Sequence, residues 1–421
     1  MSLARKVVIT GIGVVSPIGI GNGSFWESLC AGSSGVRTCT RYDTSEMLVP
    51  FGAELSGFEP KKFVRPRKSL KVMCREIQIG FAAAALATGD AGISSENVDC
   101  DRFGVLYGSE MHYGDLPELE DIHHNCVVDG EFDFDHWGTR CVSDILPLWM
   151  LKYLPNMAAC HIGIAQDARG PNNTITLGEA SSLLAITEAT RIIERGRADV
   201  MIAGGVGNRL NITGMMYRGD SNLSHRADDP PSASRPFEAH RDGMVNGEGA
   251  GAFVLESYEH AVARKANILA HILGCGGGFE PSYPARLITG AAIRTSIRKA
   301  LADAELSAAD LGHVNAHGLS TVHDDAVEAQ VIRDCLGDTP VTAPKSYFGN
   351  LGAGGGAVEM AASVMSFAQG RIPPTLNYDV PDANCPVNVI RGECAALGPP
   401  RALVMNQSGT GQSAAVVIAA P

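Results

Sequence analysis

A layered α/β fold made of two similar halves is predicted by three observations. Apolar strand-like runs alternate with amphipathic helical runs along the whole chain, glycines gather at the ends of the apolar runs, and the order of elements repeats after about residue 255. "VVITGIGVVS" (7–16) reads as a strand, "EIQIGFAAAALATGDAG" (76–92) as a helix stopped by glycine, and "RFGVLYGS" (102–109) as a strand. "TITLGEASSLLAITEATRIIERG" (174–196) reads as a buried strand, a tight turn and a long amphipathic helix, leading into the strand "DVMIAGGVG" (199–207). "GAGAFVLES" (249–257) is a strand and "YEHAVARKA" (258–266) a helix. The second series runs through a strand at 268–278, a helix at 289–304, a strand at 311–318, helices at 324–336 and 356–370, and a glycine-broken hairpin at 401–420. Two halves, 1–255 and 256–421, are expected, with an irregular cap over a site at about 110–150. A plain surface insertion explains that segment equally well.

The 421 residues are 45% hydrophobic and 19% charged, which excludes a disordered chain and allows a large core. No apolar run has the roughly 18 residues of a membrane span, and the N-terminus lacks the regions of a signal peptide. Eleven cysteines without a C-x-x-C pair or a Cys/His cluster predict reduced thiols, a cytoplasmic setting and no metal site. A net charge of −12 argues against nonspecific nucleic-acid binding.

Four polar loops interrupt the apolar pattern at strand ends, where α/β folds collect their sites. They are "LGEASS" around Glu179, "NAHGLSTVHDD" with His317, "APKSYFGNLGAGGGAVE" with Lys345, Asn350 and Glu359, and "NQSGTGQ" (406–412). Each has an ordinary explanation when taken singly. A histidine after a strand is commonly structural, "GAGGG" lacks the spacing of a phosphate loop, and "GEASS" is not a G-x-S-x-G nucleophile elbow. Residue chemistry alone stops at an α/β enzyme with an unassigned site.

Order and spacing say more. "RKVVITGIGVVSPIG", "ARGPNNTIT", "ADVMIAGG", "SRPFEAHRDGMVNGEGAGAFVLE", "VNAHGLST", "APKSYFGNLGAGGGAVE", "IPPTLNYDVPDANCPVNVI" and "MNQSGTGQSAA" follow one another from about residue 5 to 419. In that order the chain resembles the β-ketoacyl-acyl carrier protein synthases of the elongating kind. The resemblance implies a thiolase-like fold, with duplicated βαβαβ halves in a five-layer αβαβα sandwich, and an acyltransferase of fatty-acid or polyketide-type assembly. It implies no cofactor of the protein's own, a substrate carried on the phosphopantetheine of acyl carrier protein, and a dimer.

The resemblance also locates departures. The family's nucleophilic cysteine falls on Glu179, its first histidine on His317 and its second on Asn350, while Lys345 and Glu359 match and Ser408 stands at the aromatic gate. A carboxylate is a far weaker nucleophile than a thiolate, so ordinary condensation is not expected. His317 and Asn350 retain donors for an enolate oxygen, which suits a malonyl-carrier-protein decarboxylase or a noncanonical condensing enzyme. An ionised Glu179 would repel the malonyl carboxylate and a neutral one would imitate glutamine; the helix N-terminus lowers its pKa and an apolar pocket raises it. The alternative is a noncatalytic subunit resembling a chain-length factor, paired with a cysteine-bearing ketosynthase rather than with its own copy. The basic stretch "KKFVRPRKSLKVMCR" (61–75) suits an acidic carrier protein, with Arg65, Arg67 and Lys68 as contacts; a solvated charge run is the plain alternative.

Overall fold

The computed structural model describes residues 5–281 and 287–421. Ten strands carry the fold: β1 (Val7–Ser16), β2 (Phe103–Gly108), β3 (Asn172–Ile175), β4 (Val200–Asn208), β5 (Glu248–Ser257), β6 (Ala270–Phe279), β7 (His313–Asn315), β8 (Val341–Thr342), β9 (Arg401–Gln407) and β10 (Gln412–Ala419). Their spatial order is β8-β7-β9-β10-β6-β1-β5-β4-β2-β3. β1 pairs antiparallel with β5 and β5 with β4, followed by parallel pairs β4–β2 and β2–β3. The second series repeats this sense for sense, with β6–β10 and β10–β9 antiparallel and β9–β7 and β7–β8 parallel. A short antiparallel contact, Val7 to Ile272 and Ile9 to Ala270, joins the two series.

Side-chain alternation shows what each strand face covers. On β5, Phe253 and Leu255 pack into one core while Ala252 and Val254 pack into another. On β9 and β10, Val404, Val416 and Ile418 share the first of these cores, and Leu403, Met405 and Val417 belong to a third. Both sheets are therefore buried on both faces, which is why their strands read as unbroken apolar runs. The shared middle core is filled by α5 (Ser181–Glu194), through Leu183, Ile186 and Ile193, and α9 (Gly355–Gln369), through Val358, Met360 and Val364. α1 (Arg75–Ala91) and α4 (Met157–Gln166) cover one outer face. α7 (Ala291–Asp303) and α8 (Val322–Leu336) cover the other. The result is the duplicated five-layer αβαβα sandwich. The fit is close: a Cβ on Gly13 of β1 would lie 2.0 Å from the Ala83 carbonyl oxygen of α1, so alanine there pushes helix and strand apart.

Two expectations are corrected. The strand before the Glu179 turn is not buried: Asn172 and Asn173 are exposed and Thr174 and Ile175 half-buried. β3 has a single neighbour, β2, and its Asn-Asn-Thr-Ile sequence offers little apolar surface to cover. Residues 110–150 are not irregular, since they form α2 (Pro117–His124), a small hairpin at Val127–Phe132 and α3 (Phe134–Asp144), which Asp133 caps through the Asp135 and His136 N–H groups. No helix of the described residues is long and apolar enough to cross a membrane.

Candidate active site

Glu179 lies in a single 3-10 turn, Gly178–Ala180, between β3 and the first residue of α5. Gly178 takes φ +58, and a Cβ there would come within 3.0 Å of the Ser408 Cβ, so glycine is required both for the turn and for the approach of the 406–412 loop. The expected strand-turn-helix setting is thus present, with the carboxylate 94% buried beneath it.

The Glu179 carboxylate is engaged on one oxygen from two sides. Arg209 Nη2 donates to Oε1 at 2.6 Å and Asn350 Nδ2 donates to the same oxygen at 3.0 Å. Arg209 follows directly on β4 and also reaches Glu110 at 3.0 Å, whose other oxygen lies 3.5 Å from Arg218. Burial pushes the Glu179 carboxyl upward, but the Arg209 guanidinium, with the Asn350 amide, outweighs it and holds the group down to about 2. Of the two protonation states left open by the sequence, the ionised one prevails.

His317 sits on the loop after β7. Its Nδ1 lies 3.0 Å from Asn406 Oδ1 and 3.1 Å from Lys345 Nζ. Lys345 Nζ donates to Glu359 Oε1 at 2.5 Å, and Asn406 Nδ2 donates to Glu359 Oε2 at 2.6 Å. Glu359 thus joins Lys345 to Asn406, and the buried imidazole is held in plane through Nδ1, which either donates to Asn406 Oδ1 or accepts from Lys345 Nζ. Burial, aided by Lys345, pushes the imidazole well below its ordinary pKa, so the ring is neutral. Asn350 has both ends of its amide occupied, because its Oδ1 accepts the Gly352 N–H at 3.0 Å while Nδ2 serves Glu179.

The loop that carries His317 is held from α8. Glu328 accepts the His317 and Gly318 N–H groups at 2.7 and 2.8 Å, and Asp325 accepts those of Phe237 and Ser320 at 2.8 and 2.9 Å. Burial pushes Glu328 up to about 8, with the Asp325 charge adding to it, and burial pushes Asp325 up to about 7. A carboxyl with a raised folded pKa keeps a proton that the unfolded chain sheds near its ordinary value. The contribution of these two groups to stability is therefore complete below about pH 4, falls as pH rises from there, and is gone once pH passes the folded values of about 7 and about 8. The melting temperature should decline between about pH 5 and pH 8, and Glu328→Gln should flatten that decline; a flat wild-type profile would contradict this assignment.

Glu179, His317 and Ser408 line one cavity of about 890 Å³, and no cysteine lies among its lining residues. Ser408 is buried there, bonded to Thr410 and to Gln412 Oε1 at 2.9 Å each. Lys345, Asn350 and Glu359 stand behind this wall, joined to it through His317 and Glu179. The sequence-based candidates therefore converge, with two exceptions. Arg65, Arg67 and Lys68 lie exposed on a separate surface around a short 3-10 helix, Arg67–Val72. The 110–150 segment does not cap the cavity: none of its residues lines it, and it touches the site through the arginines, Glu110 by ion pairs and Tyr113 by its ring under Arg218. Sequence reading missed Arg209, Arg218, Glu110 and Glu328. A usable signal existed for Arg209, a charged residue set directly after the wholly buried strand β4.

A carboxylate bonded in this way is a poor acyl acceptor. One of its oxygens is engaged twice, its charge is matched by a guanidinium, and no thiol lines the cavity among the described residues. Fold and site together define a chain of the condensing-enzyme class with a buried Glu179–Arg209 ion pair at the turn before α5. The beta-ketoacyl synthase N-terminal domain pattern matches residues 4–261 and the C-terminal domain pattern residues 266–379, so the chain belongs to the beta-ketoacyl synthase family. It is 33% identical over 401 residues to the 3-oxoacyl-[acyl-carrier-protein] synthase 2 of Synechocystis sp., covering 93% of this chain and 92% of that one. Among solved structures it is similar to the ishigamide ketosynthase/chain length factor, with TM-score 0.86, 26% identity and coverage of 99% and 100% of the two chains. It is also similar to a type II polyketide synthase acyl-carrier protein in complex with its ketosynthase bound to the hexaketide, with TM-score 0.84, 28% identity and coverage of 99% and 100%.

Proposed function

We propose that this chain is a noncondensing ketosynthase-like subunit that pairs, in the cytoplasm, with a cysteine-bearing synthase in fatty-acid or polyketide-type chain assembly. The observation that carries this reading is the ionised Glu179 fixed by Arg209 and Asn350 where the acyl-bearing thiol would stand. The same contacts count against malonyl decarboxylation. The charge that glutamine would lack is present and repels an incoming malonyl carboxylate, and the Asn350 amide that would steady an enolate oxygen is already engaged. Decarboxylation keeps one point in its favour, the buried cluster of His317, Lys345, Glu359 and Asn406.

Pairing is supported by the surface. β3 is an edge strand, and the 110–150 segment exposes Phe134 and Val142 at 79% and 84%, together with Leu146, Leu148 and Met150. Unpaired edges and clustered apolar side chains are features that soluble chains ordinarily cover. A similar fold has been solved for a ketosynthase/chain length factor. The substrate in this reading travels on the phosphopantetheine of acyl carrier protein, and exposed Arg65, Arg67 and Lys68 supply charge complementary to such an acidic carrier.

Two measurements test the proposal. Co-expression with a cysteine-bearing synthase encoded beside it should give a stable one-to-one complex on size exclusion. Incubation of the purified chain with malonyl-carrier protein should yield no acetyl-carrier protein by mass spectrometry. Acetyl product that disappears in His317→Ala, or a homodimer that ignores the synthase, would overturn it.

A further inference from the structure

Cys30 and Cys394 stand 364 residues apart in the chain, yet the fold sets the Cys394 thiol as a donor to the Cys30 sulfur at 3.9 Å. Cys30 lies in the last turn of the helix Asn22–Ala31, whose Phe25, Trp26 and Leu29 pack into the shared middle core. Cys394 precedes the short strand Ala395–Ala396, which pairs antiparallel with Arg371–Ile372 just after α9. Both thiols are free and half-buried, and Arg391, Gly392 and Glu393, which lead to Cys394, are exposed. The buried Tyr347 Oη lies 3.0 Å from the Leu29 carbonyl oxygen and 2.9 Å from that of Pro374. Burial pushes this hydroxyl's pKa upward, and the neighbouring Cys394 and Cys30 thiols add to the push. The first helix, the C-terminal tail and the turn that carries Lys345 thus share one seam, with two thiols at its half-exposed end.

We propose that Cys30 and Cys394 form a reversible disulfide that clasps the helix Asn22–Ala31 to the 371–396 segment when the protein meets a low-molecular-weight disulfide such as glutathione disulfide. A sulfur–sulfur bond measures about 2 Å, so the two atoms must approach by about the same distance. A turn of either thiol between staggered positions covers it, and the exposed approach to Cys394 can follow. In the first step the Cys30 sulfur, its proton released, attacks glutathione disulfide, forming a mixed disulfide and expelling one glutathione thiolate. In the second the Cys394 sulfur attacks the Cys30 sulfur and expels the other. The two protons shed by the cysteines end on the two glutathione thiols, so the protein loses two electrons and glutathione disulfide gains them. Burial and the Cys30 sulfur push the Cys394 thiol upward, against the pull of Arg371, which makes the closing step slow in reducing, neutral surroundings. The dithiol is therefore the resting state in a cytoplasm and the disulfide the state under oxidation. Because the bond joins the two ends of the chain, it constrains the unfolded state far more than the folded one. The proposal depends neither on pairing with a synthase nor on the state of Glu179.

The test incubates the reduced full-length protein with glutathione disulfide at about pH 8.5, alkylates the remaining thiols and maps the peptides by mass spectrometry. The peptide holding Cys30 should appear joined to the peptide holding Cys394, and dithiothreitol should separate them. The oxidised protein should melt about 5 °C above the reduced one. Cys30→Ser and Cys394→Ser should each abolish the joined peptide and the rise, while melting as the reduced wild type does. Glutathione held singly on either cysteine with no joined peptide would overturn the proposal. So would a joined peptide without a higher melting temperature, or a rise that survives in both serine variants.

Discussion

Replacing Arg209 by methionine should destabilise the protein by about 3 kcal/mol at pH 7, because it strands a carboxylate inside the fold. Glu179 is almost wholly buried, and its ordinary pKa of 4.5 is brought down to about 2 chiefly by Arg209 working against burial. That difference between folded and unfolded chains corresponds to roughly 3 kcal/mol of pH-linked stability. The sign follows from the depressed value. The contribution is complete above about pH 4.5 and is lost as pH falls toward 2, so the gap between wild type and variant should narrow across that interval. Methionine keeps the apolar stem of arginine while removing its five donors, which separates charge from packing. The double variant Arg209→Met/Glu179→Gln should recover most of the loss, since the second change removes the stranded charge. Urea unfolding at pH 7 and pH 4 measures both effects. A single-variant loss below about 1 kcal/mol at pH 7 would mean that the pair is not what keeps Glu179 ionised.

The layered fold was legible because its strands are buried on both faces and its helices on one stripe, which leaves unbroken runs such as "VVITGIGVVS" and period-3.6 runs such as "SLLAITEATRIIERG". The edge strand misled for the opposite reason. "NNTIT" stands beside the same apolar helix as a central strand would, and only pairing on one side shows that it is half-exposed. In the site, Glu179, His317 and the Lys345–Glu359 pair were readable from loop position and resemblance. The state of Glu179 was not, because it depends on Arg209, thirty residues away along the chain, meeting the carboxylate at 2.6 Å. Asn350 shows the same limit. Its identity suggested an amide free to donate to substrate, and the fold turns that amide onto Glu179 instead.

Glu179→Cys should give the chain a thiol that takes up an acyl group, the largest change in activity expected from one substitution. The new thiol would stand at the start of α5, beside a guanidinium released from its carboxylate, two settings that each lower a thiol pKa. Glu110 retains part of the hold on Arg209, so the shift is smaller than a free arginine would produce. Even so, alkylation by iodoacetamide at pH 7 should be roughly tenfold faster than for an ordinary cysteine. The natural thiols give a quiet background where burial holds them protonated, as at Cys74, Cys275 and Cys385. The substitution also frees the Asn350 amide, so the donor needed beside His317 returns together with the nucleophile. Incubated with an acyl-carrier thioester, the variant should gain the mass of one acyl group at residue 179, and the wild type none. A folded variant that stays unmodified and alkylates no faster than the wild type would show that Glu179 is not the sole obstacle, and that the loop around Ser408 or the Arg209–Glu110 pair closes the acyl route independently.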